Sequence, residues 1–408
     1  MIVLAAYLAI FAAAWGLGRF WNRKAPPVTF GDAAAIRPSR LASVLSVLSI
    51  FAIWGAFTNS VLVPFHVPGP FVGDTRFTYT AQDGAGQRGE AEVTIRVTRP
   101  GDKADLPQVS GGSGIAQDDA ATTLAWRSAL IKPGENDGAG AQVVAVNGQP
   151  IAPGQPVRVA DGTVVLTPKG SLSFTPDAGW QMEPIWLPAP EAVAARLAEI
   201  AVNGYQNHSL WEHLGYSLWR VLAGLALGAL VGIPLGYAMG LSGWLRGWFD
   251  PIVEFMRPVP PLALIPLIII WFGIWETGKI ILLFLAALWI MVIAARTGVT
   301  GGKLSKVHAA YSLGASNAQV LWHVIIPNSL PDIFTGLRVA LGVCWGTVVA
   351  AELVAAEKGA GMMILVASKF QLTDIVVMGI ILIGVIGYGI DILMRRAERA
   401  LIPWRGRG

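Results

Sequence analysis

The sequence predicts an α-helical polytopic membrane protein of about seven spanning helices, interrupted once by a small all-β domain. Three observations predict it. Of 408 residues, 54% are hydrophobic and only 14% charged, with a mean hydropathy of +0.55; a soluble domain carries about a quarter charged residues. Apolar runs long enough to cross a bilayer occupy both ends of the chain. Between them, residues 72–181 hold no such run and become rich in Gly, Pro, Asp and Thr.

The first two runs, residues 2–18 and 41–65, contain no charged side chain. Each reaches the length of roughly 17–25 residues that a spanning helix needs. Arg19, Arg23, Lys24, Arg37 and Arg40 lie between them, so this loop is expected on the cytoplasmic side and the amino terminus outside. Residues 2–18 are short enough for a signal-peptide core, but no basic leader precedes them and the following loop is basic, so a retained helix is expected. The net charge of +4 and pI near 9.2 come from arginines beside apolar runs, the pattern of membrane orientation and not of nucleic-acid binding. The single cysteine, Cys344, excludes an intrachain disulfide and any cysteine-built metal site.

Within 72–181, Phe77-Thr78-Tyr79-Thr80 and Glu92-Val93-Thr94-Ile95-Arg96-Val97 alternate with period two around an Asp83-Gly84-Ala85-Gly86 turn, which predicts a hairpin. Further strands are expected at 143–146, 157–159, 163–166 and 171–174, with a turn at Asn147-Gly148. Together they imply a small antiparallel sheet or sandwich. Residues 100–140 read as a linker or long loop, with a short ordered element possible at 123–131. The stretches FTYTAQDGAGQRGEAEVTIRV and AVNGQPIAPGQPVRVADGTVVLTPKGSLSFTPDAG resemble parts of cadherin-like and immunoglobulin-like repeats of bacterial surface proteins.

From residue 185 onward five apolar runs return, at 221–245, 258–275, 280–295, 337–351 and 375–390. Gly224, Gly228, Gly232 and Gly236 recur every fourth residue on one helical face, which predicts close packing against protein. Pro234, Pro260, Pro261 and Pro266 are expected to kink or interrupt helices, as happens where a cavity or neighbouring helix satisfies the freed backbone. Glu352, at the end of an apolar run, reads equally as a cavity-facing carboxylate or as a helix-end charge. Pro260, Pro261 and Glu352 are therefore the candidate translocation-path residues. Asp374 is expected to be an N-cap and Asp391 to pair with Arg395 at i,i+4. His208 and His213 are off a common helical face and no metal site is expected from them; Trp186, Trp211, Trp219, Trp244, Trp248, Trp271 and Trp275 fit membrane-interface belts.

The polar interval 296–328 contains the most informative segment, VHAAYSLGASNAQVLWHVIIPNSLPDI at 307–333. It resembles the cytoplasmic coupling motif of ABC-importer permeases, written EAA, three residues, G, nine residues, I, one residue, L, P. Ala309, Ala310 and Gly314 match at that spacing, and Val324, Ile326 and Pro327 fill the closing positions; His308 stands where the motif has glutamate. The stretches DPIVEFMRPVPPLALIPLIIIWFGIWETGKI, GLRVALGVCWGTVVAAEL and ERALIPWRG extend the resemblance to the taurine, alkanesulfonate and nitrate permease family. IWLPAPEAV from Ile185 resembles the stretch after that family's first helix.

This resemblance implies a type I ABC-importer permease fold in the bacterial inner membrane, with residues 1–40 an extra helix and basic loop, 41–71 the first family helix, 72–181 a periplasmic insertion, and 182–408 the rest of the permease. It assigns ATPase coupling to His308, Ala309, Ala310, Gly314, Ala315 and Pro327, with Gly314 ending or bending a short helix and Pro327 restarting the next. The implied substrate is taurine or a related small sulfonate, with nitrate or another small anion as the alternative. The implied partners are two ABC ATPase subunits, a second permease copy, a periplasmic substrate-binding protein and the lipid bilayer, with no nucleic acid. The sequence lacks a Gly-x-x-x-x-Gly-Lys-Ser/Thr loop, so no catalysis or cofactor is expected in this chain; ATP and Mg belong on the ATPase partner. An ion-coupled secondary transporter would place paired acidic residues in mid-membrane, and none are evident. A membrane-anchored adhesion or sensor protein would not need the coupling motif.

Overall fold

The computed structural model describes residues 2–21, 40–102, 105–109, 111–302 and 304–403. Arg23, Lys24, Arg37, Arg405 and Arg407 lie outside the described residues. The chain forms two compact units, residues 1–191 and 192–408.

The first unit opens with two apolar helices, α1 (Ile2–Trp21) and α2 (Arg40–Phe57). The second apolar run was expected to continue to residue 65, but α2 stops at Phe57. Asn59 adopts the left-handed conformation (φ 53°) and the Ser60 amide donates back to the Gly55 carbonyl at 3.0 Å, a helix stop that the hydropathy of Val61-Leu62-Val63 does not reveal.

The β-rich segment is a sandwich. One sheet has the order β3-β2-β1-β5-β6, built from β1 (Gly73–Gln82), β2 (Arg88–Thr98), β3 (Asp119–Leu124), β5 (Gln142–Val146) and β6 (Gln149–Pro150). The other has the order β4-β9-β8-β7, built from β4 (Ala129–Ile131), β7 (Pro156–Val159), β8 (Gly162–Leu166) and β9 (Leu172–Pro176). The expected hairpin is β1–β2, in register Phe77↔Val93. Asn147 and Gly148, both at positive φ, turn β5 into β6, the two-residue connection that Asn-Gly favours. Period-two alternation sends Phe77, Tyr79, Val93, Ile95, Val146, Val164, Leu172 and Phe174 into one core, where Phe77 stacks on Phe174 at 6.1 Å. Residues 100–140 are not a linker: β3 pairs parallel with β2, and β4 pairs with β9, carrying the chain from one sheet to the other.

The chain enters and leaves this sandwich at one place. The Met182 amide donates to Phe57 O (2.8 Å), the Trp180 amide to Pro68 O (2.7 Å) and the Phe71 amide to Asp177 O (2.9 Å). Ser60 Oγ donates to Glu191 at 2.6 Å, and Trp54 Nε1 to Pro188 O at 2.9 Å.

At the edge of this core Tyr79 Oη donates to Gln117 O and to Asp137 Oδ1, while Asp119 Oδ2 is buried without a hydrogen-bond partner. Burial pushes the Asp119 carboxyl up to about 6; the Tyr79 hydroxyl opposes this and the Asp137 charge adds to it. Its folded value lies above the unfolded one of about 3.9, so its stabilising contribution is complete below about pH 4 and lost as the pH rises through about 6. Allowing for its partial exposure, the loss is about 1–2 kcal/mol. Hydrogen exchange of β1–β3 in the full chain, corrected for intrinsic rates, is expected to show protection falling over that window, and Asp119→Asn to flatten the fall.

The second unit is helical: α3 (Pro190–Asn203), which begins at the boundary, α4 (Leu210–Leu241), α5 (Gly243–Met256), α6 (Ile265–Phe272), α7 (Glu276–Thr300), α8 (Leu304–Ser312), α9 (Asn317–Val320), α10 (Ile326–Ala355), α11 (Ala360–Lys369) and α12 (Thr373–Leu401). Among the described residues, four continuous helical segments are long and apolar enough to cross a membrane: Leu210–Leu241, Glu276–Thr300, Asn317–Val354 and Thr373–Leu401. The run at 258–275 is not one spanning helix. Pro260 precedes a 3-10 turn at Pro261–Leu264, Pro266 sits in the first turn of α6, and the arm from α5 to α6 bends by 91°. Pro234, by contrast, is carried inside α4 without ending it.

The glycine ridge packs as expected. A Cβ on Gly224 would stand 2.4 Å from Leu283 Cβ, on Gly228 2.5 Å from Ala287 Cβ, on Gly232 2.8 Å from Met291 Cβ and on Gly236 2.4 Å from Val292 O. At these four positions α4 therefore meets α7 with no side chain of its own between them, and α10 closes the core with Ala340, Cys344 and Val348.

Candidate functional site

The segment joining α7 to α10 carries the predicted coupling residues. α8 buries none of its side chains; His308 and Ala309 are exposed and Ala310 half-buried. The helix ends in a full Schellman turn, with the Ala315 amide donating to Ala310 O (3.1 Å), the Gly314 amide to Tyr311 O (2.9 Å), and Gly314 at φ 81°. Gly314 is the residue the left-handed position requires, and Ala315 supplies the second amide. Ser316 then caps α9 in a reciprocal box with Gln319, so Gly-Ala-Ser-x-x-Gln spells both a stop and a start.

Pro327 does not restart a helix. Residues 321–325 form a π turn in which the Ile326 amide donates to Leu321 O, and Asn317–Val354 runs through without interruption. The wider turn carries Pro327, which has no amide to donate, into the first turn of α10. Lys306 Nζ donates to Asn328 Oδ1 (3.0 Å), and Tyr311 Oη to Asn317 Oδ1 (2.9 Å), which ties the segment to itself. Leu313 (89% exposed), Trp322 (66%) and Leu304 point away from the chain. His323 is exposed, with Nδ1 3.1 Å from Gln319 O.

The candidate path residues separate. Pro260 and Pro261 line a cavity of about 540 Å³ with Trp289, Ile293 and Gly336 of α7 and α10. Glu352 lies elsewhere and is 1% exposed, as is Arg220 of α4. Arg220 Nη1 donates to Glu352 Oε1 (2.6 Å) and to Lys358 O (2.8 Å), while Nε and Nη2 grip Glu276 at 2.6 and 2.7 Å. Ser217 Oγ lies 2.8 Å from Glu352 Oε1, and the Gly361 amide donates to Oε2 at 2.9 Å. His213 Nδ1 accepts from the Gly359 amide at 3.1 Å, so Nε2 carries the proton and faces Tyr205 O. His213, Ser217 and Arg220 thus form one stripe of α4 that receives the α10–α11 turn.

Arg220 escapes the sequence reading because its partners lie 56 and 132 positions away; a lone arginine entering an apolar helix is the signal that could have found it. Asp374 is not an N-cap. It sits inside the first turn of α12, where Leu372 caps, and its carboxylate accepts from Arg196 Nε at 2.7 Å. Asp391 pairs with Arg395 as expected and also with Arg338. Among the described residues no group of three or more His, Cys, Asp or Glu could hold a metal.

The helical unit is thus a close-packed bundle of helices long and apolar enough to cross a membrane, with one proline-broken arm and a capped, exposed segment between two of them. Residues 228–403 match the family described as binding-protein-dependent transport system inner membrane component. The chain is 48% identical over 226 residues to the taurine transport system permease protein TauC of Escherichia coli K12, covering 55% of this chain and 82% of that one. It is 40% identical over 226 residues to the putative aliphatic sulfonates transport permease protein SsuC of the same organism, covering 55% and 84%. With the nitrate import permease protein NrtB of Synechococcus elongatus it shares 30% over 204 residues, 49% and 73%. An inward-facing structure of the MetNI methionine ABC transporter aligns at a TM-score of 0.42 and 18% identity, covering 46% of this chain and 93% of that one. The chain belongs to the family of binding-protein-dependent transport system inner membrane components: it is the permease subunit of an ABC importer, not an enzyme, and the ATPase is a separate subunit.

Proposed function

We propose that this permease moves taurine or a related small sulfonate inward across the bacterial inner membrane. The observation that carries the reading is the 48% identity across four-fifths of a taurine permease, against 40% for the sulfonate and 30% for the nitrate relative. In this reading two copies pair, two ATPase subunits dock on the 296–328 loops, and a periplasmic binding protein delivers the solute. The exposed α8, with Leu313 and Trp322 projecting, supports a docking role for His308, Ala309, Ala310, Gly314, Ala315 and Pro327: small residues let a short helix lie close in a groove. Pro260 and Pro261 border the pathway in the same reading, and ATP-driven closure of the ATPase pair rocks the helices between inward-open and outward-open states.

Residues 72–181 form a periplasmic insertion of cadherin-like or immunoglobulin-like type between the family helix in 41–71 and the permease from 182. The side-by-side entry and exit of the sandwich support an insertion, because they leave the flanking chain spanning no gap. Its role in docking the binding protein is tested by deleting 72–181: unchanged uptake and unchanged binding-protein affinity would remove it.

Taurine-stimulated ATP hydrolysis in liposomes holding the permease, its ATPase and its binding protein tests the function. Gly314→Pro is expected to lower the stimulated rate about tenfold or more, since proline fixes φ near −65° at a position held at 81°, at about 3 kcal/mol of local strain. Stimulation by nitrate or another anion in place of taurine would shift the substrate assignment; failure to bind any ATPase would overturn the whole reading.

A further inference from the structure

The buried Arg220–Glu352 pair forms the floor of a cavity of about 640 Å³ whose walls include Tyr216, Glu276, Lys279 and Lys358. Four cations, with Lys369 the fourth, and three carboxylates, with Glu357 the third, therefore face one volume, and their pairing is uneven. Glu276 accepts two bonds from Arg220 and one from Lys279 (3.0 Å), yet it is 46% exposed. Lys358 Nζ stands 5.0 Å from the Tyr216 ring centroid and only loosely, at 3.7 Å, from Glu212. Glu276 is thus a half-wet carboxylate held by two buried cations, Arg220 and Lys279, the partner that an incoming oxyanion can replace at least desolvation cost. A displaced Glu276 keeps a use, since it can accept from an ammonium group on the same ligand.

Position gives the cavity a role. Glu276 and Lys279 open α7, and the coupling segment follows its last residue, Thr300. Twenty-five helical residues separate the two by about 36 Å, more than the roughly 30 Å hydrocarbon core. The cavity thus lies at the membrane face opposite the coupling segment. Nor is the Arg220–Glu276 contact an opening gate between α4 and α7, because the glycine ridge locks those helices together along their length.

We propose that this cavity is a receiving site for a small zwitterion bearing one sulfonate and one primary ammonium, the sulfonate exchanging for the Glu276 carboxylate on Arg220 and Lys279 and taking Lys358 as a further partner. The proposal rests on the taurine reading above and adds a place where the permease itself recognises the solute. An oxyanion with a nearby ammonium also describes a phosphatidylethanolamine headgroup, so the lipid must be varied.

Saturation-transfer NMR of the permease–ATPase complex, without binding protein and in nanodiscs free of phosphatidylethanolamine, tests it with taurine and with isethionate, which lacks the ammonium. Taurine is expected to bind about tenfold more tightly than isethionate; Lys358→Gln is expected to weaken taurine about tenfold and Lys358→Arg to retain it. Equal binding by wild type and Lys358→Gln overturns the site while taurine transport by the complete importer leaves the substrate reading standing. Binding that phosphatidylethanolamine abolishes assigns the cavity to the headgroup and overturns a solute site. A complete wild-type importer that moves no taurine ends the substrate reading and this proposal with it.

Discussion

Arg220→Met is expected to destabilise the helical unit by about 3–5 kcal/mol, because it leaves the fully buried Glu352 carboxylate without its counter-charge. The Lys358 carbonyl loses its donor at the same time. Glu276 suffers less, since it keeps Lys279 and contact with water. The Arg220→Met, Glu352→Met double variant should recover much of the loss, as apolar replacement of a whole buried pair often does. Thermal unfolding in detergent, arranged as a double-mutant cycle, separates the two outcomes; a single variant as stable as wild type would show that the Ser217 hydroxyl and the Gly361 amide suffice for Glu352.

Gly228→Val is expected to cost about 3 kcal/mol or more and to lower the yield of monodisperse protein on size-exclusion chromatography. The first added carbon already falls 2.5 Å from Ala287 Cβ and 3.1 Å from the Phe284 carbonyl oxygen, and backbone cannot rotate aside as a side chain can. Gly215→Val on the same helix meets nothing within 4 Å and is the matched control, expected to change stability by less than about 1 kcal/mol. If both variants behave alike, the ridge does not hold α4 to α7.

These features were unequally legible in the sequence, for physical reasons. The glycine ridge, the β1–β2 hairpin and the Asn147-Gly148 turn are local periodicities, and residues close in sequence write them directly. β3 was not legible as a strand: its residues are half-buried or exposed without alternation, and it is held by a parallel ladder to β2. The Arg220 cluster joins positions 213–220, 276 and 352–361 through tertiary contacts alone. Glu352 looked ambiguous because cost arguments identify a charge that needs a partner but not where the partner lies. At the coupling segment the spacing of Ala309, Ala310 and Gly314 was visible, whereas the π turn ahead of Pro327 has no local spelling.

That π turn sets an angle. Each α-helical residue advances the chain by about 100°, and the five-residue hydrogen-bonded loop at 321–325 accommodates one residue more than an α-turn would. The direction in which α9 and the end of α8 leave the long helix is therefore a matter of phase, fixed by one residue and kept from relaxing by Pro327. Removing a single position there would turn the exposed face of the segment by more than a quarter circle while leaving every side chain on it unchanged. The length of this stretch, as much as its composition, is part of what a docking partner reads.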